Sequence, residues 1–142
     1  MLALALGLAV AGCGGGGQLS AGSLRSQATA VCTTANAQMT AIPTPSTPAA
    51  TVTFLNRGIT VLRPELAALK ALNPSGDIAE VYGISLHAFS RKLDALTATV
   101  HNIDSGGDPV REMQALQTRL APLESSENGA WQALQIPACL NR

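Results

Sequence analysis

Val52, Leu55, Ile59, Leu62, Leu66, Leu69 and Leu72 follow one another at steps of three and four, and this series constrains the fold more than any other feature. A helix of 3.6 residues per turn puts such a series on one face. A helix with a single apolar stripe must then bury it against other elements. The same period recurs in three further segments. One runs from about Ser20 to Ala41 and carries Leu24, Ala28, Val31, Cys32, Ala35 and Met39 on its stripe. Another carries Ile78, Tyr82, Ser85, Phe89, Leu93, Leu96, Val100 and Ile103, and the last Met113, Leu116, Leu120, Leu123, Ala130 and Leu134. Alternating strand patterns and internal repeats are absent from the sequence. The expected fold is all-α: an antiparallel up-down-up-down four-helix bundle over residues 20–142.

Breaker residues punctuate the four segments. Ile42-Pro43-Thr44-Pro45-Ser46 ends the first, and Thr47 with Pro48 predicts an N-cap and a first-turn proline for the second. Asn73-Pro74-Ser75-Gly76 forms the next turn, after which Asp77 and Glu80 have the spacing of a capping box. Asp104-Ser105-Gly106-Gly107 breaks the third helix, and Asp108-Pro109 starts the fourth. Pro64 and Pro122 fall inside helices and predict kinks, Pro64 by removing a hydrogen bond to Thr60. With one Trp, one Tyr and two Phe, the core is expected to consist mainly of Leu, Val, Ile and Ala.

The segment from Leu2 to Ala11 is apolar but shorter than the roughly 20 residues that span a bilayer, and it has the length of a signal-peptide hydrophobic region. No Lys or Arg precedes it, and Arg25 is the first positive charge, which suggests a start upstream of Met1 or a truncated copy. Val10-Ala11-Gly12-Cys13 resembles the lipobox of bacterial lipoproteins. The resemblance implies that residues 1–12 are a removed signal peptide. It implies too that Cys13 receives a diacylglyceryl group, becomes the new N-terminus and anchors the chain to the extracytoplasmic side of a membrane. Residues 13–19 then form a Gly-rich tether spanning on the order of 15 Å, which keeps the domain close to the bilayer. Ala9-Val10-Ala11 also fits a cleavage site for ordinary secretion, which leaves Cys13 a free thiol.

Cysteine arithmetic favours the lipid. The chain has three cysteines, Cys13, Cys32 and Cys139, and an odd count in an exported protein requires an explanation. Lipidation of Cys13 leaves Cys32 and Cys139 as a disulfide pair, as expected in an oxidising compartment. The plain alternative is two separate buried thiols. Lipobox, tether, helical domain and cysteine pair together resemble small secreted lipoproteins of actinobacteria-like bacteria, a likeness of architecture that implies no activity.

Nine basic and nine acidic side chains give a formal charge of zero. Basic residues form no cluster, so the electrostatic footprint of a nucleic-acid binder is missing and no nucleic-acid partner is expected. A polybasic membrane patch is missing too, so membrane attachment falls to the lipid, and two acyl chains on Cys13 suffice for it. His87 is expected on a solvated face and His101 at the edge of a stripe, three residues from Asp104, too few ligands for a metal site. Gly83-Ile84-Ser85-Leu86-His87 lacks the second glycine of a hydrolase elbow and lies mid-helix. Gly14–Gly17 neither follows a strand nor opens onto a phosphate-loop lysine. No catalytic residue, metal or cofactor is expected. Glu127 faces inward by count from Leu116, Leu120 and Leu134, where a carboxylate is costly to bury. The preferred expectation is that the Pro122 kink turns it outward; otherwise Arg25 meets it.

The function expected from this pattern is that of a non-enzymatic structural or interaction module of the cell envelope. Its distal loops, Thr40–Thr47 and Asp104–Asp108, would face away from the membrane, the Pro-rich one being the better partner contact. The alternative is a binder of a small apolar ligand, held between helices opened at Pro64 and Pro122 and lined by Leu62, Leu66, Leu120 and Leu123.

Overall fold

A computed structural model describes residues 17–141. The lipobox, Cys13 and most of the Gly-rich segment lie outside the described residues. Among the described residues four helices make up the body: α1, Ala21–Thr40; α2, Thr51–Lys70; α3, Ile78–Asp104; and α4, Pro109–Leu134. Short 3-10 turns at Pro48–Ala50 and Pro137–Cys139 precede α2 and follow α4. The only β contact among the described residues is an isolated bridge between Leu19 and Pro74.

The helix starts follow the sequence unevenly. Ser20 caps α1 by accepting a hydrogen bond from the Ser23 amide at 3.3 Å. Asp108 caps α4 by accepting from the Arg111 amide at 2.9 Å, with Pro109 in the first turn. Two expected caps do not form. Thr47 makes no side-chain cap bond, because Pro48 starts a 3-10 turn and α2 begins only at Thr51. Asp77 makes none either, because it is already helical (φ −63°, ψ −22°) and its side chain cannot turn back onto the first-turn amides. Asp108→Ala should therefore lower stability by about 1 kcal/mol. Asp77→Ala should change it by less than about 0.5 kcal/mol in the same denaturant titration.

Neither interior proline ends its helix, since α2 runs through Pro64 and α4 through Pro122. The turn between α3 and α4 uses glycine for its conformation: Gly106 has φ +100°, and a Cβ on Gly107 would meet the Asn102 carbonyl oxygen at 2.8 Å.

Leu24, Ala28, Cys32, Ile59, Leu62, Leu66, Leu69, Tyr82, Phe89 and Leu93 form the core with Trp131, Leu134, Ile136 and Cys139. The most extensive helix pair is α3–α4, followed by α2–α3 and α1–α2. Helix α1 meets the rest of the body mainly through α2 and the C-terminal 3-10 turn. The stripes read from the sequence are the buried faces, with their outer members, such as Val52, Leu72, Leu96 and Ile103, half-buried.

Candidate functional site

Three places combine chemistry with position: the C-terminal lock, a charge pair inside the core, and the end of the body where the α1–α2 connection meets α4. The lock is built on one face of α1. Cys32 is bonded to Cys139 across 107 residues, with Cα atoms 5.2 Å apart and both residues fully buried. One turn or two away on the same face, the Arg25 Nε donates to the Leu134 carbonyl at 2.9 Å and the Asn36 Nδ2 to the Ala138 carbonyl at 2.8 Å. The guanidinium thus satisfies a carbonyl that the end of α4 leaves open, in the place a helix terminus favours a cation. The segment after Leu134 folds back along α1 and so brings Cys139 to Cys32.

Just before α1, the Leu19 amide donates to the Asn73 carbonyl at 2.6 Å, and the Ser75 amide donates to the Leu19 carbonyl at 3.1 Å. Leu19 also packs against the core, so the chain before α1 is fastened to the α2–α3 connection.

Glu127 is 1% exposed and points inward. The expected outward turn at Pro122 does not occur: α4 keeps its phase through the proline, and the eleven-residue spacing from Leu116 to Glu127 returns to the same face. Its partner is Lys92, not Arg25. The Lys92 ammonium lies 3.0 Å from Glu127 Oε2, and the Trp131 indole donates to Oε1 at 3.2 Å. Burial holds the Glu127 carboxyl above the ordinary carboxylate range. The Lys92 charge and its hydrogen bond pull the other way, as does the indole bond, and Glu124 adds to the rise. Tyr82 stacks edge-on against Trp131, with centroids 5.7 Å apart, and donates its hydroxyl to the Leu69 carbonyl at 2.7 Å. Burial pushes that phenol well above its usual range. The cluster is closed to solvent and ties α2, α3 and α4 together by polar bonds inside the core.

Ser85 is fully buried and donates its hydroxyl to the Tyr82 carbonyl at 2.7 Å, a bond internal to α3. His87 and His101 are both exposed. Among the described residues no three His, Cys, Asp or Glu side chains gather where they could hold a metal ion. No helix of the described residues is long and apolar enough to cross a membrane.

The two prolines do not open onto a shared interior pocket. Pro64 borders a groove of about 400 Å³ between α1 and α2, with Ala30, Ala35, Glu65 and Ala68. Pro122 borders another of about 420 Å³ between α3 and α4, with Arg91, Asp94, Arg119 and Leu123. Leu62 and Leu66, expected to line a ligand site, are packed in the core, each 6% exposed. At the other end of α2, the Pro-rich connection packs beside the start of α4, where Pro45 and Pro48 share a groove of about 480 Å³ with Pro109 and Val110. The Pro-rich connection and the α4 terminus of the α3–α4 turn therefore occupy one end of the body.

No protein-family model, curated protein or solved structure matches this chain.

Three residues escaped the sequence reading although their spacing carried the signal. Lys92 lies three residues after Phe89, Glu65 three after Leu62, and Trp131 four after Glu127, all on buried faces. Trp131 is fully buried and is the largest such side chain in the core.

Proposed function

We propose that this chain is a lipoprotein of the bacterial cell envelope, anchored at Cys13, whose helical domain is a non-enzymatic structural or interaction module. One observation carries the reading: the bond between Cys32 and Cys139 accounts for two of the three cysteines and leaves Cys13 as the single remaining one, beside the lipobox-like Val10-Ala11-Gly12. A structural disulfide also fits an exported protein. In this reading residues 1–12 are the signal peptide, residues 13–19 the tether, and the four helices run up-down-up-down. The short α2–α3 and α3–α4 connections between packed helices support that order.

The fastening of Leu19 to Asn73 and Ser75 supports an orientation in which the α2–α3 connection lies near the membrane and the Pro-rich connection away from it. The commitment of the Ser85 hydroxyl within its own helix and the separation of the two histidines support a non-enzymatic role.

Metabolic labelling with an alkyne fatty acid in a bacterium that processes lipoproteins tests the anchor. The wild-type chain should take up the label and Cys13→Ser should not; equal absence of label from both would remove the proposal.

A further inference from the structure

The nine acidic residues of this chain all lie at or after Glu65, and the residues before it carry only three charges, Arg25, Arg57 and Arg63. From Ser26 to Leu62 Arg57 is the only charged side chain. It is exposed, and it stands at the junction of two grooves. One, of about 530 Å³, has Ala41, Ile42 and Pro43 on one wall and Asn56, Arg57 and Val61 on the other. The second, of about 320 Å³, is bordered by Thr44, Pro45 and Phe54 as well as Arg57. Both grooves also share Pro43 and Thr53, so they run on from one another along the Pro-rich connection. Neither is lined by an Asp or Glu. Among the described residues Arg57 has no carboxylate within ion-pair reach.

We infer that this trough docks an extended acidic peptide segment of another envelope protein, with a carboxylate on Arg57 and small apolar side chains on either side of it. The charge match is one-sided: an unpaired guanidinium, which can take a carboxylate through two parallel hydrogen bonds, in a stretch with no competing acid. Asn56 and Gln38 offer amide groups on the walls of the larger groove, suited to the backbone of an extended chain, while Ile42, Pro43 and Val61 supply apolar contact. The prolines hold one wall in place before binding, which limits the ordering that association requires.

Position argues for a protein rather than a lipid headgroup. Leu19 is fastened beyond the far end of α2, a helix of 20 residues and so about 30 Å long. A chain tethered through Leu19 keeps this trough away from its own bilayer. The inference rests on the reading of the domain as an interaction module and names the partner's chemistry.

The test is a fluorescence-anisotropy titration of the full-length chain in detergent with a fluorescein-labelled peptide of repeating Glu-Val-Thr. Its counterpart of repeating Gln-Val-Thr and vesicles of phosphatidylglycerol serve as comparisons. The acidic peptide should bind saturably and more weakly as salt is raised. Arg57→Ala should weaken it about tenfold or more, the loss expected for a charge-assisted hydrogen bond, while Arg63→Ala, which lines neither groove, should leave it unchanged. Circular dichroism checks that both variants remain folded. Absence of saturable binding, equal binding of the neutral peptide, or equal losses from the two arginine variants would overturn the inference. So would Arg57-dependent binding to the vesicles without binding of the peptide. Repeating the titration with Cys13→Ser separates this inference from the anchor. Arg57-dependent binding by a chain whose Cys13 proves unacylated keeps the dock and removes the anchor; an acylated chain that ignores the peptide does the reverse.

Discussion

Cys32→Ala/Cys139→Ala should lower the unfolding free energy of the domain by about 4–5 kcal/mol, a large share of the roughly 5–15 kcal/mol that stabilises a typical domain. The bond closes a loop between positions 107 residues apart, and loop-closure entropy gives roughly 4.7 kcal/mol for a loop of 100 residues. The loss should also be uneven. Helix α1 reaches the body mainly through α2 and the C-terminal turn, whereas α3 and α4 hold each other along their length. Hydrogen exchange should therefore quicken first in α1 and after Leu134, and last around Trp131. Guanidinium denaturation of the double variant, followed by Trp131 fluorescence, measures the first effect, and amide hydrogen exchange resolved by segment measures the second. A loss below about 1 kcal/mol would show that the disulfide constrains little.

Lys92→Met should cost about 3–5 kcal/mol at pH 8, because it leaves the Glu127 carboxylate buried without its cation. The penalty should depend on pH, and its sign follows from the direction of the Glu127 shift. Burial already raises the Glu127 carboxyl above its ordinary value of 4.5, and loss of Lys92 removes the largest influence that lowers it. A group whose folded pKa is raised contributes stability that is fully present below its unfolded pKa and is lost as pH rises through the folded one. Lys92→Met should thus approach the wild type as pH falls towards 4.5 and depart from it as pH rises. The wild type should show the same trend more weakly. Adding Glu127→Gln to Lys92→Met should recover most of the loss and flatten the pH profile, because the amide oxygen still accepts from the Trp131 indole and no charge remains. Denaturant midpoints of the three proteins between pH 4.5 and 8 check this, and a pH-independent penalty in Lys92→Met would contradict it.

The sequence was most legible where one physical rule acted alone. Steps of three and four placed all four helices within a few residues, and Asp108-Pro109 marked the start of α4 because cap and proline agree there. It was less legible where neighbouring rules competed. Thr47 and Asp77 have the chemistry of caps, but a 3-10 turn before α2 and a helical backbone at Asp77 displace them. Polar residues on apolar stripes were the hardest to place. Lys92 and Glu127 share buried faces by spacing alone, yet each is unfavourable there until the other is known to lie 3.0 Å away on the facing helix. That information is tertiary and no single segment contains it. The grooves beside Arg57 belong to the same class, since they exist only where the Pro-rich connection lies against α2. The absence of acidic residues before Glu65 was legible from the start, but a total charge of zero conceals it.

The central claim is that the three cysteine sulfurs have two fates. The intact mass of the chain purified from bacterial membranes, taken before and after reduction and thiol alkylation, tests it most directly. The account predicts a mature chain beginning at Cys13, carrying diacylglyceryl mass, with no alkylation before reduction and two alkylated thiols after it. A lipid-free chain with an alkylatable Cys13, or two free thiols at Cys32 and Cys139 before reduction, would contradict it.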